Sequence, residues 1–447
     1  MRQFVIPLTL LLCSTAFAQT PPPLPQLSPQ SAYEQATRPL EITRRSIENW
    51  SESETAAFAV AIHQAKEQCS ARTPSQYTGE DLIAYARLCA LGQQWPTVQD
   101  AVTLYLHAQR TAKPPKTIAD FPGLPQAYAY LIDSSLHLND PTVALVTALE
   151  MLETVPYTDL TSQATNETIR YLQLIQTPDA LRLLAKRQAV LLPLLRASVT
   201  ANPASQQSLP IHSLYADGIA LAALQQFANQ PEAAAATITQ LEAALPSNLS
   251  PDDSILIAES RRQYALLGSP LPDLAPSADL LREPVKDGSR IEINSGTKAL
   301  LLFPDWCAQC IRMGSQFMPA LFRIGQYDVH FYALLAQATP PPTPTLTKPK
   351  PSPIKATRFL ASPAAPTASS DQPKTPADLL RSTPTLIVPN DLLTRFAVTD
   401  FPVLIVTDHE GIIRFLQPAP ENVLASGGLA DQVIARVVEQ WPTPSTK

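Results

Sequence analysis

Small and apolar residues recur every three or four positions through the first half of the chain. Clear examples are the runs at 57–65 and 82–89, in which these residues fall on one face of a helix. The same stretch is rich in Ala, Leu and Gln and contains few glycines. This pattern predicts an all-α region over residues 31–267.

Four of the predicted helices begin with the same local pattern, which is a proline, then a polar residue, then a small apolar one. The four occurrences are Pro96-Thr97-Val98, Pro141-Thr142-Val143, Pro178-Asp179-Ala180 and Pro231-Glu232-Ala233. Proline at the start of a helix loses no hydrogen bond and presets φ. In three cases another helical run lies just upstream, at 79–92, 124–138 and 209–228. Stacked helical hairpins, similar to a tetratricopeptide-type array, are therefore predicted.

Such an array either presents a concave face to a protein or peptide or has a purely structural role. The surface that would decide between these interpretations is not readable from one sequence, so both stay open.

From residue 289 onward the pattern changes to short continuous or alternating apolar runs, which are typical of strands. A proline-rich stretch, 268–288, precedes this region and is interpreted as a linker. We predict strands at 291–293, 298–303, 329–335, 385–388, 402–407 and 412–416, and helices at 311–324, 391–396 and 428–440. Pro319 should kink or break the first of these helices. The predicted fold class is multidomain, with an all-α helical-hairpin N-terminal domain and an α/β C-terminal domain over 289–441.

Three further segments have compositions that cannot bury a core. Residues 339–377 hold eleven prolines among Ala, Ser, Thr and Lys. Because strand-like sequence resumes after them, we interpret them as a disordered insertion within the C-terminal domain. Residues 19–30 form a similar proline-rich linker, and 442–447 form a short tail.

Residues 1–18 have the organisation of a secretory signal peptide. An apolar centre at 4–12 is followed by Ala16-Phe17-Ala18, a small-x-small cleavage pattern. The alternatives are an uncleaved anchor and a lipoprotein attached through Cys13, and bulky Leu12 disfavours the second. No later run is long and apolar enough for a transmembrane helix. We expect an exported protein of the periplasm or cell envelope, with secretion as the alternative and no stable membrane span.

The charge balance of the chain argues against one class of partner. The 447 residues include 33 Lys and Arg against 39 Asp and Glu, which gives a net charge of -6. A nucleic-acid-binding protein would need a basic stripe, so nucleic-acid partners are not expected. The hydrophobic content of 45 % is sufficient for a core in each predicted domain.

Export changes the interpretation of the cysteines. Cys13 would leave with the signal peptide, so four cysteines remain, and an oxidising compartment permits two disulfides. Cys69 and Cys89 fall at the end of one predicted helix and within the next, where adjacent antiparallel helices could bring them together. They are a candidate structural disulfide, and the alternative is a pair of buried free thiols.

The most specific chemical signal is Trp306-Cys307-Ala308-Gln309-Cys310, which follows a buried strand and enters a predicted helix. The first thiol would lie at the helix N-terminus, where unpaired N–H groups favour the thiolate. The second thiol lies about one turn further on, close enough to form a disulfide with the first. This arrangement predicts a redox-active dithiol of Cys307 and Cys310.

Two other roles for these cysteines are less consistent with the sequence. A zinc site needs four ligands in a closed geometry, whereas the chain has one Cys-x-x-Cys and scattered histidines, so no metal site is predicted. A purely structural disulfide between Cys307 and Cys310 is uncommon at this tight spacing.

The C-terminal region resembles the thioredoxin superfamily, and within it the TlpA/ResA-like and redoxin branch of exported thiol-disulfide proteins. The residues that carry the resemblance are KALLLFPDWCAQC at 298–310, MPAL at 318–321 and LLTRFAVTDFPVLIVTDHEGIIRF at 392–415. The last segment has the family's order of a short helix, a Val-x-x-x-Pro step, a strand, an acidic-glycine turn and a return strand. The resemblance covers about residues 270–440.

The resemblance implies a central mixed sheet flanked by helices, with Pro402 as a cis-proline beside the disulfide. Phe401 would then offer backbone groups to an extended peptide, and Trp306 would shield one side of the cysteine pair or pack beneath the loop. From the residues alone, Pro402 would be a trans-proline at a strand start. The resemblance implies protein thiol or disulfide clients, a redox partner protein and no cofactor.

The chain also departs from the family pattern. Ala308 and Gln309 replace a pair that usually ends in proline, and the strand before the motif lacks the usual buried acid. Asp305 is expected to be a solvated surface residue. The peroxidase branch has Thr or Ser at the position of Pro304, so peroxidase activity is not expected.

The predicted function is an exported thiol-disulfide oxidoreductase in which Cys307 attacks and Cys310 resolves. Phe401, Pro402 and Trp306 would support the site, and the helical domain would dock partners. The alternative is a protein-interaction scaffold with a non-catalytic thioredoxin-like module. The sequence leaves the direction of electron flow open.

Overall fold

The computed structural model describes a set of ranges separated by gaps. They are residues 27–45, 50–113, 120–197, 209–274, 278–279, 296–307, 310–311, 329–337, 385–398, 401–418 and 429–442. The chain divides into two compact units, Met1–Gly123 and Leu124–Lys447. Four predicted features lie outside the described residues: the signal peptide, the strand at 291–293, the insertion at 339–377, and all but the first residue of the helix at 311–324 with Pro319 and MPAL.

The described part of the first unit is helical. Its helices are α1 (Pro29–Arg45), α2 (Trp50–Ser70), α3 (Glu80–Leu91) and α4 (Trp95–Thr111), with a short 3-10 turn at Pro74–Gln76. Small buried residues such as Ala36 and Ala65 let the first three helices approach closely. Gly92 marks the tightest approach, because a Cβ there would lie 2.6 Å from the backbone nitrogen of Lys66.

The second unit begins with seven helices. They are α5 (Leu124–His137), α6 (Pro141–Thr154), α7 (Asp159–Ile175), α8 (Thr177–Ala197), α9 (Ile211–Phe227), α10 (Pro231–Glu242) and α11 (Pro251–Leu266). Sequence neighbours pack on one another from α5 to α10, and α5 also packs on α7, α6 on α8, and α9 on α11. The predicted prolines start α6 and α10 and occupy the second position of α4 and α8. No helix in the described ranges has the length and apolar character needed to cross a membrane.

The same turn joins three pairs of helices, α3 to α4, α5 to α6 and α9 to α10. In each turn one residue has a left-handed backbone, with φ values of 55°, 56° and 57° at Gln93, Asn139 and Asn229. The residue after it donates its N–H to a carbonyl five residues back, over 2.9, 2.8 and 2.8 Å. These bonds close the ends of α3, α5 and α9, so the hairpin prediction is confirmed for these pairs.

A buried polar network ties α7, α8 and α9 together. The Asp217 carboxylate accepts hydrogen bonds from the Tyr157 hydroxyl at 2.7 Å and the Ser162 hydroxyl at 2.6 Å. The fully buried Arg187 guanidinium lies 3.8 Å from the same carboxylate and donates to the Asp217 carbonyl at 2.8 Å. Burial, with the Asp217 carboxylate beside the hydroxyl, raises the pKa of Tyr157 well above its usual range, although Arg187 opposes the rise.

The C-terminal part of the second unit contains a mixed sheet. Its strands are β1 (Ala278–Asp279), β2 (Thr297–Pro304), β3 (Val329–Gln337), β4 (Thr385–Pro389), β5 (Val403–Thr407) and β6 (Ile413–Pro418), in the spatial order β1-β4-β3-β2-β5-β6. β2 pairs in parallel with β3, as β3 does with β4, and the other pairs are antiparallel. Helices α12 (Asp391–Arg395) and α13 (Leu429–Gln440) complete the described elements. A helical region followed by an α/β region is thus confirmed, and β2 to β6 lie within a few residues of their predicted positions. The short strand β1 was not predicted, because it falls within the proline-rich stretch 268–288 that was interpreted as a linker.

Part of the predicted linker at 268–288 is held against the sheet. Gly268 donates to the Ile413 carbonyl, and Ile413 donates to the Ser269 carbonyl, so this segment pairs with the outer edge of β6. Leu274 is buried in the sheet core. The helices also contact this strand, since Phe227 of α9 meets Phe415 edge-on at 5.8 Å.

Candidate functional site

The Cys307–Cys310 pair lies just beyond the carboxyl end of the central strand β2. The Asp305 N–H donates to the Ala336 carbonyl of β3 at 3.1 Å, which extends the pairing one residue past the strand. The Cys307 N–H then donates to the Pro304 carbonyl at 3.2 Å, so the chain turns away from the sheet. Ile311 donates to the Cys307 carbonyl at 3.1 Å, which is the spacing of a helical hydrogen bond. A buried strand and a turn therefore fix the position of the first cysteine.

The two cysteines form a disulfide with an S–S distance of 1.96 Å and a Cα–Cα distance of 5.2 Å. Their exposures differ, because Cys307 is half-buried whereas Cys310 is only 1 % exposed. The Cys310 N–H points at the Cys307 sulfur over 3.2 Å. In the reduced protein this donor can stabilise negative charge on Cys307, which is the form that attacks disulfides.

Trp306 projects from the surface next to the disulfide. Its side chain is 71 % exposed, so it does not pack beneath the loop. Its ring meets the ring of Phe401 edge-on, with centroids 5.8 Å apart and planes at 89°. Phe401 is half-buried and packs against the core of the sheet, so it links the indole to the fold.

Phe401 and Pro402 are brought to the site by strand pairing. Leu302 of β2 lies opposite Val403 of β5 in the antiparallel register. The residues just before Val403 therefore lie beside the residues just after β2. The Phe401–Pro402 peptide bond is cis, which is the isomer that the resemblance implies.

The surroundings of the disulfide are apolar on the sheet side. Leu300, Leu301 and Leu302 are fully buried, and Asp305 is exposed to solvent. The described strand beneath the cysteines thus offers no carboxylate as a proton acceptor.

Sequence reasoning did not single out a charged cluster at the other end of β2. Lys298 is 1 % exposed, and its ammonium donates to the Gly296 carbonyl at 3.1 Å. Burial lowers the pKa of Lys298, and the negative charge of Asp408 opposes this effect. Asp408 itself is held by Arg414 at 2.7 Å. The only sequence signal for this cluster was a lysine at the start of an apolar run. Lys298 lies about 20 Å from the carboxyl end of β2, so it does not belong to the dithiol site.

Cys69 and Cys89 also form a disulfide. Cys69 of α2 and Cys89 of α3 have sulfurs 2.08 Å apart and Cα atoms 5.1 Å apart, within the range that a disulfide spans. Both are buried, at 1 % and 0 % exposed. The Tyr85 hydroxyl donates to the Cys69 carbonyl at 3.1 Å, and burial raises the pKa of Tyr85 to about 12. This disulfide has the burial expected of a structural bond.

Comparisons with known proteins supply no relative: no family model, no curated protein and no solved structure matches the chain. Within the part of the chain that the structure describes, His, Cys, Asp and Glu form no group of three or more that could hold a metal ion.

Proposed function

We propose that this protein is an exported thiol-disulfide oxidoreductase that acts on protein cysteines through Cys307 and Cys310. The observation that carries the proposal is the asymmetry of the pair, in which Cys307 is partly exposed and Cys310 is buried. A purely structural disulfide has no need of an accessible sulfur that faces an N–H donor. An exchange catalyst needs both features.

In the reducing direction, the Cys307 thiolate attacks a client disulfide and forms a mixed disulfide, and one client sulfur leaves as a thiolate. Cys310 then loses its proton to solvent and attacks the Cys307 sulfur. The second client thiolate leaves, and the Cys307–Cys310 disulfide forms. Two electrons pass from the dithiol to the client, and a partner dithiol restores the reduced state. The same steps in reverse transfer a disulfide to a client.

The proposal includes a thioredoxin-like fold for the C-terminal region. The supporting features are the mixed sheet order, the dithiol at the end of its central strand and the cis bond before Pro402. In this arrangement the free backbone groups of Phe401 would pair with an extended client segment.

For the helices we propose a tetratricopeptide-like array that docks partners. The turn that recurs with the same backbone at Gln93, Asn139 and Asn229 supports a repeated hairpin. Within the second unit, the Gln173 side chain of α7 donates to the Gln417 side chain of β6 at 3.1 Å. This contact would keep the helices of that unit beside the sheet that carries the dithiol.

Export is part of the proposal as well. It is supported by the signal-like pattern at residues 1–18 and by two disulfides that pair all four remaining cysteines. Disulfides persist in oxidising compartments such as the periplasm.

The proposal is tested by following disulfide reduction in insulin, with dithiothreitol as the electron source and purified full-length protein as the catalyst. The wild type should accelerate reduction well above dithiothreitol alone, and Cys307→Ser should abolish the acceleration. Reduced Cys310→Ala, mixed with insulin after removal of dithiothreitol, should release at most one client thiol for each protein molecule, because nothing then resolves the mixed disulfide. Equal rates for wild type, Cys307→Ser and dithiothreitol alone would favour the non-catalytic scaffold.

A further inference from the structure

The side chain next to the reacting sulfur is unusually open. Trp306 has the largest exposed fraction, 71 %, among the large apolar side chains that the structure describes. Cys307, the next residue, is half-buried. An indole held in water beside a reactive sulfur offers apolar area that a bound client can cover.

Phe401 fixes the orientation of this indole. It is anchored on the sheet core and meets Trp306 edge-on at 5.8 Å. Edge-to-face contacts of this kind favour one relative orientation of two rings. Trp306 and Phe401 together form a surface that we call the aromatic wall.

The exchange reaction itself determines what lies against this wall. In the mixed disulfide the client sulfur is bonded to Cys307 at about 2 Å. The residues on either side of the client cysteine therefore lie close to Cys307, which directly follows Trp306 in the chain. Asp305, which is exposed and directly precedes Trp306, adds a negative charge to the same place.

We propose that the aromatic wall selects clients whose reactive cysteine is flanked by an apolar or aromatic residue, and that Asp305 disfavours acidic flanks. This inference rests on the proposed function, because it concerns the client side of the same reaction. A leucine beside the client cysteine would bury part of its side chain against the aromatic wall. This burial should raise the exchange rate about tenfold over that of a client with serine at the same position. An acidic flank should lower the rate by about threefold relative to serine.

The test uses short peptides that contain one cysteine as a mixed disulfide with thionitrobenzoate. The peptides differ only in the two residues that flank the cysteine, which are Leu, Ser or Glu. The full-length protein is first reduced and freed of reductant, and the second-order rate of thionitrobenzoate release is measured at 412 nm. The readout is the ratio of rates between two peptides for one protein variant, so a general loss of reactivity cancels.

The wild type should give a Leu to Ser ratio near ten, and Trp306→Ala should reduce it to below two. Phe401→Leu should give an intermediate ratio, and Asp305→Asn should remove the penalty for Glu. Ile255→Ala is the matched control, because Ile255 is 58 % exposed on α11 and should leave the wild-type ratio unchanged. A wild-type ratio near one, or a ratio of ten that survives Trp306→Ala, overturns the inference while the proposed function stands. Failure to react with any peptide would instead overturn the proposed function.

Discussion

The buried network around Asp217 gives the sharpest prediction for the stability of the second unit. In Asp217→Ala, the Tyr157 and Ser162 hydroxyls lose the carboxylate that accepts their hydrogen bonds at 2.7 and 2.6 Å. Arg187 has no exposed surface and loses the carboxylate that lies 3.8 Å away. The variant therefore leaves a buried charge without a counterion.

The expected cost follows from this change. Removing one partner of a buried ion pair typically costs about 3–5 kcal/mol, because the remaining charge stays desolvated. A buried hydroxyl without an acceptor adds up to about 1–3 kcal/mol, but the two effects share one site and do not add in full. Arg187 keeps its bond to Asn166 at 2.6 Å, which limits the loss. We expect Asp217→Ala to lower the free energy of unfolding by about 4 kcal/mol.

The assay is urea unfolding of the full-length protein, followed by circular dichroism at 222 nm and neutral pH. Glu153→Ala is the matched control, since Glu153 pairs with Lys186 at 2.6 Å but both side chains are substantially exposed. It should cost less than about 1 kcal/mol. The double variant Asp217→Ala/Arg187→Leu should recover part of the loss, because no buried charge remains. If Asp217→Ala lowers the free energy of unfolding no more than Glu153→Ala does, the assignment of a stabilising buried ion pair between Asp217 and Arg187 is wrong.

Three further predictions concern other parts of the fold. Gly92→Ala should cost at least about 2 kcal/mol in urea unfolding, because the new methyl group would lie 2.6 Å from a backbone atom of Lys66. Gly92 has an ordinary φ of -77°, so the loss would report the packing clash and not backbone strain, and a loss below about 0.5 kcal/mol would contradict the close approach. Cys89→Ser should lower the free energy of unfolding by about 3 kcal/mol, since the disulfide closes a loop with a sequence separation of 20, and a loss smaller than 1 kcal/mol would argue against a bonded pair. Lys298→Met should raise stability at pH 7 by about 1–3 kcal/mol, because a buried ammonium with a lowered pKa is replaced by an apolar chain. Between the lowered folded-state pKa of Lys298 and its ordinary value of 10.5, the unfolded chain binds more protons than the folded chain, so the wild type gains stability as the pH rises. The stability advantage of Lys298→Met should therefore shrink between pH 7 and 10. A constant advantage would refute this reasoning.

Much of the fold could be predicted from local sequence. The prolines that start α6 and α10 could be read because their missing N–H and fixed φ suit that position. The strand β2 could be predicted because its eight residues are buried along their whole length. Such a strand needs a nearly continuous apolar sequence, and its few polar side chains need partners. The left-handed residues in the three turns were harder to predict from the sequence. Asparagine favours this backbone conformation, but glutamine, which is present as Gln93, does not.

The remaining features depend on contacts that composition does not encode. The proline content of 268–288 indicated a linker, yet Leu271 and Leu274 pack on the sheet and Gly268 pairs with its edge. The dithiol could be located from the sequence because its spacing is local. The contact between Trp306 and Phe401 could not, because it joins side chains from two strand ends that only the sheet register brings together.

Trapping of the mixed disulfide tests the central claim most directly. Reduced Cys310→Ala protein is mixed with a disulfide-bonded peptide, quenched by alkylation and digested without reductant for mass spectrometry. We expect one adduct, in which the client cysteine is bonded to Cys307, and no adduct in Cys307→Ser/Cys310→Ala. An adduct on Cys69 or Cys89, or no adduct while the peptide disulfide stays reactive towards free thiols, would contradict it.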